Sequence, residues 1–155
     1  MTAGKLGPPK RVRGRVGIWV PGSEIPPLQD LGFQRVSEEV EGINLMKRIA
    51  VQPPAARDLM QRIYHTPNGG RRGMREAKLF KAQGVRSGVP DYCLPLPRGE
   101  FHGLYIELKA ADGALEKEQR AELERLVADG YCACCAWRAE AAYRALAGYL
   151  GLLRP

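Results

Sequence analysis

The sequence predicts an α/β layered fold, and three observations carry that expectation. Leu104–Lys109 alternates apolar and polar residues with the period of two that a strand imposes. Residues 115–129 and 140–150 set apolar side chains at helical spacing. Between those helices, residues 131–137 form an apolar run of strand length. With the elements that precede them, the order becomes helix, three strands, helix, strand, helix, as in a layered α/β domain.

Residues 1–36 hold many Gly, Pro and basic residues without a sustained helical period, so they read as a loosely structured arm with one short strand at 16–20. The folded domain is expected over 37–155. Ser37 is a good N-cap, Glu38, Glu39 and Glu41 crowd the positive end of the helix it starts, and Ile43, Leu45, Met46 and Ile49 give that helix an apolar face. Pro53 and Pro54 interrupt it, and 55–63 reads as a further short helix. A strand at 62–66 is closed by Pro67-Asn68-Gly69-Gly70, which is strong turn chemistry. Residues 73–83 read as a basic helix ending at Gly84.

Gly88-Val89-Pro90 leads into a short apolar strand at 91–96, and Pro97-Arg98-Gly99-Glu100 turns the chain toward Leu104–Lys109. There Leu104, Ile106 and Leu108 face a core while Tyr105, Glu107 and Lys109 share the opposite face. A turn at Ala111-Asp112-Gly113 precedes the helix 115–129, whose inward side is predicted to carry Leu115, Leu123, Leu126, Val127 and, among them, Gln119. Gly130 ends that helix, and the strand 131–137 and the amphipathic helix 140–150 complete the order.

A chain of 155 residues fits one hydrophobic core. Hydrophobic residues at 45% and charged residues at 26% are ordinary for a globular domain, and no apolar run approaches the roughly 20 residues that span a bilayer. The basic N-terminus is not followed by an apolar stretch, so it does not read as a secretory signal and a cytoplasmic location is expected. Cys132, Cys134 and Cys135 crowd one strand and Cys93 stands alone; without the paired spacing of a zinc site, all four read as free thiols. A net charge of +7 and a pI near 9.5 attract the chain to polyanions, of which nucleic acid is the most abundant. The basic residues collect at 10–15 and at Arg71, Arg72, Arg75, Lys78, Lys81 and Arg86, and the acidic ones from 112 to 129. Such runs are equally the signature of a solvated surface.

Phosphodiester hydrolysis needs a nucleophilic water, charge stabilisation at phosphorus and help for the leaving oxygen, and a divalent metal on carboxylates supplies much of this. Magnesium takes one or two carboxylates plus waters and phosphate oxygens, so two well-placed acids suffice. Asp91 at the start of one strand and Glu107 on the next can meet at a sheet end, with the Leu108 carbonyl as a further oxygen donor. Lys109, two residues after Glu107 on the same face, is placed to orient or deprotonate water and to neutralise developing charge. Each residue has a bland alternative: Glu107 and Lys109 as a solvent-facing ion pair, Asp91 as a turn residue after Pro90, Gln119 as a local hydrogen-bonding group. Their conjunction on successive elements is much rarer than any one of them.

In that order, Gly88-Val89-Pro90-Asp91, Ile106-Glu107-Leu108-Lys109 and Gln119 resemble the VRR-NUC domain, a branch of the PD-(D/E)xK nuclease superfamily, and Tyr64-His65-Thr66-Pro67-Asn68-Gly69-Gly70 extends the resemblance. It runs from Ser37 to Leu150. The resemblance implies a restriction-endonuclease-like core, a mixed central sheet flanked by helices in αβββαβ order, here with an extra C-terminal helix, Mg or Mn dependence and a DNA substrate. Stand-alone phage and bacterial members are similar to structure-specific nucleases that act as homodimers on branched DNA such as Holliday junctions, which implies a bacterial or phage-infected host cell.

Carried over by position, Asp91 and Glu107 would bind metal, Lys109 would be catalytic and Gln119 would support the site. The family also brings a glutamate of its first helix to the metal. Here Glu38, Glu39 and Glu41 compete for that place; Glu38, directly after the capping Ser37, is favoured, with Glu41 one turn later as the alternative. The basic residues Arg71, Arg72, Arg75, Lys78 and Lys81 would then be candidates for phosphate contacts. A second class of reading keeps the fold and the DNA and drops the chemistry, leaving a catalytically inactive junction-binding module.

Overall fold

The computed structural model describes residues 17–21, 35–66, 79–80 and 82–153. The expected turn at 67–70, most of the expected helix 73–83 and the basic side chains Arg71, Arg72, Arg75, Lys78 and Lys81 lie outside the described residues. The elements are β1 (Gly17–Trp19), α1 (Glu38–Ala50), α2 (Pro54–Met60), β2 (Tyr64–His65), β3 (Tyr92–Leu94), β4 (Leu104–Lys109), α3 (Lys117–Ala128), β5 (Cys132–Trp137) and α4 (Arg138–Tyr149). The strands form one sheet in the order β1-β5-β4-β3-β2. Among the described strands only β4 and β5 run parallel, and α3 connects them. This is the α/β architecture that the alternation and helical spacing predict, with the mixed sheet that the family resemblance implies.

Local chemistry sets the boundaries. Ser37 Oγ accepts from the Val40 amide at 3.4 Å, and acidic residues in the first turn with Lys47 and Arg48 in the last suit the helix dipole of α1. Pro54 opens α2, where its missing N–H costs nothing. The expected strand at 62–66 shrinks to Tyr64–His65 because the Arg62 and Ile63 amides are still turned back onto the Leu59 and Met60 carbonyls. The expected strand 91–96 shrinks to Tyr92–Leu94, since neither Pro95 nor Pro97 can donate to a ladder.

Helices α1 and α4 pack on one face of the sheet, where Leu45, Ile49, Leu94, Leu104, Ile106, Ala142 and Leu146 are fully buried. Helix α3 covers the other face, with Leu123 and Leu126 against Trp19, Ala133, Cys135 and Trp137. Val127, expected inward, is 37% exposed, because the stripe facing the sheet follows the three-residue step from Leu123 to Leu126 and leaves Val127 about 100° round the helix. Trp19 of β1 is buried under α3, with the Arg120 guanidinium 4.9 Å from its ring centre. All four cysteines are free thiols. Among the described residues, no helix is long and apolar enough to cross a membrane.

Candidate active site

The antiparallel register of β3 on β4 pairs Tyr92 with Ile106, and one more step brings Asp91 level with Glu107. Asp91 is held there by its own side chain, whose Oδ2 accepts the Leu108 amide at 2.8 Å. The approach to Asp91 depends on Gly88. It has φ +82°, and a Cβ there would lie 2.9 Å from the Glu118 carbonyl oxygen. Only glycine lets the segment before Asp91 lie directly on the first turn of α3. An ion pair from Arg86 to Glu122, at 3.2 Å, fastens the same segment to the same helix.

That first turn also carries Gln119. Its Oε1 accepts the Glu116 amide at 3.0 Å at the helix start, which leaves its amide nitrogen to donate to Glu107 Oε1. An amide has one acceptor end and one donor end, so the two partners together fix its orientation. Gln119 thus belongs at once to the helix cap and to the acid cluster.

Lys109 Nζ lies 2.8 Å from Glu107 Oε1 and 3.6 Å from Glu38 Oε1. The solvent-facing alternative for this pair does not hold: Glu107 is 2% exposed and Lys109 6%, because α3 closes the sheet face on which the period of two places them. Of the three glutamates at the start of α1, Glu38 is the one the fold brings to Lys109. Glu39 is exposed. Glu41 is buried and already occupied, accepting the Ala139 amide at 2.8 Å and Arg138 Nε at 3.3 Å. Glu41 therefore caps α4 from across the core and ties α1 to it. Arg138 takes the left-handed conformation at φ 73°, which makes the turn from β5 into α4 without a loop. Neither Arg138 nor the special demand on Gly88 was foreseen from the sequence. The left-handed arginine has no composition signal, whereas a glycine three residues before a strand-opening acid was a usable one.

Burial first, and then the Asp91 charge, push the Glu107 carboxyl up to about 7. Burial also raises Asp91, outweighing the Leu108 amide and the Lys109 charge that favour its ionised form. For Lys109, burial alone would depress the ammonium, but pairing with Glu107 and the nearby Glu38 and Asp91 raise it. Burial is the first cause for both acids, while Glu38, Asp91 and Glu107 together set more negative charge around Lys109 than its one ammonium balances. Glu107 Oε2 is buried and makes no hydrogen bond, an expensive state for a carboxylate oxygen. Among the described residues, no group of three or more His, Cys, Asp or Glu is arranged to hold a metal ion. The donors on hand are the Asp91 and Glu107 carboxylates, a number that suits magnesium with its waters. An unsatisfied buried carboxylate oxygen in a pocket short of positive charge fits a divalent cation.

A cleft of about 820 Å³ opens beside these acids, walled by α1 from Glu38 to Ala50 and, opposite, by His65, Asp91, Tyr92 and Leu108. Gly42 lets α1 lie against Tyr92 at one side of it, since a Cβ there would lie 2.7 Å from the Tyr92 hydroxyl.

The VRR-NUC domain model matches residues 44–136, a span that includes Asp91, Glu107, Leu108, Lys109 and Gln119 and stops short of Glu38. A VRR_NUC domain protein of known structure is 29% identical, with 77% of this chain and 93% of that chain covered and a TM-score of 0.65. No curated protein matches the chain. With its Pro90-Asp91 and Glu107-Leu108-Lys109 meeting at one sheet end, as the PD-(D/E)xK pattern requires, the chain belongs to the VRR-NUC domain family and has a nuclease-type fold.

Proposed function

We propose that this protein is a divalent-metal-dependent DNA endonuclease that hydrolyses phosphodiester bonds, acts best on branched DNA such as Holliday junctions, and works as a homodimer. The observation that carries the reading is Glu107, a buried carboxylate with one oxygen held by Gln119 and Lys109 and the other without a partner. Asp91, Glu107 and the Leu108 carbonyl, with Glu38 at the rim, would hold Mg or Mn. Such an ion supplies Lewis acidity and a more acidic bound water.

The chain's own residues do the positioning. Gln119 and the Leu108 amide fix the two carboxylates before any substrate arrives. The Glu107, Glu38 and Asp91 carboxylates around Lys109 favour its ammonium form against burial, which suits the roles of orienting water and stabilising charge at phosphorus. The net charge of +7 favours association with DNA. Branched DNA and the dimer rest on likeness to stand-alone family members; a two-fold pair would present two sites to opposed strands, as a symmetric junction needs. In this reading 37–155 is the nuclease domain and 1–36 a basic arm, anchored to the sheet where β1 pairs with β5. The compartment it implies is the cytoplasm of a bacterium or phage-infected cell.

The test is cleavage of labelled single-stranded, duplex, flap and four-way-junction DNA with Mg, Mn or EDTA, comparing wild type with Lys109→Ala. The expected result is cutting with Mg or Mn, greatest on the junction, absent in EDTA and reduced by roughly 10²-fold or more in the variant. Cutting that Lys109→Ala leaves unchanged removes the assignment. Tight junction binding without metal-stimulated cutting replaces it with the inactive binding module.

A further inference from the structure

We propose that the cleft beside the acids is a nucleotide subsite that takes an unpaired nucleotide flanking the phosphate to be cut; this rests on the nuclease reading above. Asp91 and Glu38 belong both to the acid cluster and to the cleft wall, so a strand whose phosphate reaches the acids runs directly into the cleft. Its α1 wall is unusual for a helix face open to water. Leu45 and Ile49 bury one side of α1 in the core, yet Ile43 and Met46 stand 53% and 40% exposed on the cleft side. A helix with one buried side is expected to be polar on the other.

Lys47 stands among those apolar side chains, and across the cleft His65 and Tyr92 bring their rings within 5.2 Å of each other. The occupant must therefore offer a flat apolar surface, a negative charge for Lys47 and a phosphate that continues to Asp91. A nucleotide offers all three. The volume, about 820 Å³, is in the range of sites that enclose small ligands. A base within an intact duplex is stacked and cannot enter, so the cleft selects DNA that presents an unpaired nucleotide beside the cut, as a flap does and as a junction does once a base pair at its branch point opens. Continuity with the acids favours substrate over a protein segment as the occupant.

The test pairs a protein deletion with a DNA deletion. Ile43→Ala/Met46→Ala, at two exposed positions, is compared with wild type on a flap substrate, on fully paired duplex, and on the same flap with an abasic residue at the flanking position. On the flap, kcat/KM should fall about tenfold in the variant, the scale of one lost base contact. Duplex cutting should stay within about twofold, and the abasic residue should cost wild type about as much while adding little in the variant. Equal losses on flap and duplex, or no abasic effect in wild type, overturn the subsite and leave the nuclease reading intact. A shift in sedimentation of the variant also overturns it, since the wall would then be a subunit interface. Absence of cutting by wild type fails the nuclease reading alone. The subsite is then judged by the fluorescence of 2-aminopurine at the flanking position, which should be perturbed on binding wild type and not the variant; the same response from both overturns it.

Discussion

The two faces of the sheet divide the work of this protein. The face under α1 and α4 is packed with Leu, Ile and Ala, and its buried ion pair, Glu41 with Arg138, is tied further to the Ala139 amide at the start of α4. The face under α3 has a smaller apolar cluster and, at the C-terminal end of β4, a carboxylate and an ammonium almost out of water. The first face gives back free energy on folding, at about 1.5–3 kcal/mol for each large side chain buried. The second costs free energy, since burying Glu107 and Lys109 strips solvation that their mutual attraction only partly restores. The cap made by Glu41 on α4 stands on the stable side, and it holds the helix from which Glu38 projects toward the costly side. The lesson is that a stable face supports a preorganised, destabilised one.

The sharpest way to break that comparison is to remove the charge and keep the shape. Glu107→Gln should lower metal-dependent cleavage by roughly 10³-fold or more, because it takes away a proposed metal ligand and leaves Gln119 and Lys109 in place. Its thermal stability at pH 8 should be equal to wild type or higher. A variant that loses stability along with activity would show that Glu107 supports the fold and that the two faces are not functionally distinct.

The converse substitution is Leu45→Ala, at a position with no measurable exposure under α1. It should cost about 2–5 kcal/mol in denaturant unfolding, the range for a leucine-sized cavity. Cleavage by the fraction that remains folded should change little, provided α1 keeps its place. A large loss of activity without loss of stability would mean that the apolar face also controls the geometry of the acids.

The placement of residues that depends on neighbours along one strand is legible in the sequence. The Glu-x-Lys of β4 follows from the period of two, and Gln119 from its place on the next helix. What the sequence withheld was decided by partners far away. Glu38 and Glu41 are one turn apart on the same helix, and their fates are separated by Lys109 on the one side and by Arg138 and Ala139, 97 and 98 residues beyond Glu41, on the other. Alternation likewise says that Glu107 and Lys109 share a face but not whether another layer covers it. Pro95 and Pro97, by contrast, announced an early end to β3 that the apolar run concealed.

The finest test of the comparison is a slope against pH in the metal-free protein. An acid whose folded pKa is raised contributes its full stability below its ordinary value, near 4.5, and loses that contribution as pH climbs through the folded value, here about 7. Urea unfolding in EDTA should therefore give a stability lower at pH 8 than at pH 6, by on the order of 1 kcal/mol from Glu107. Glu107→Gln should flatten the slope by that amount, whereas Leu45→Ala should shift the whole curve down and leave its slope alone. Saturating Mg or Mn should also flatten it, because a cation favours the ionised carboxylate that burial disfavours. An unchanged slope in Glu107→Gln would assign the pH dependence to other groups and remove the claim that this one buried carboxylate carries the cost of the site.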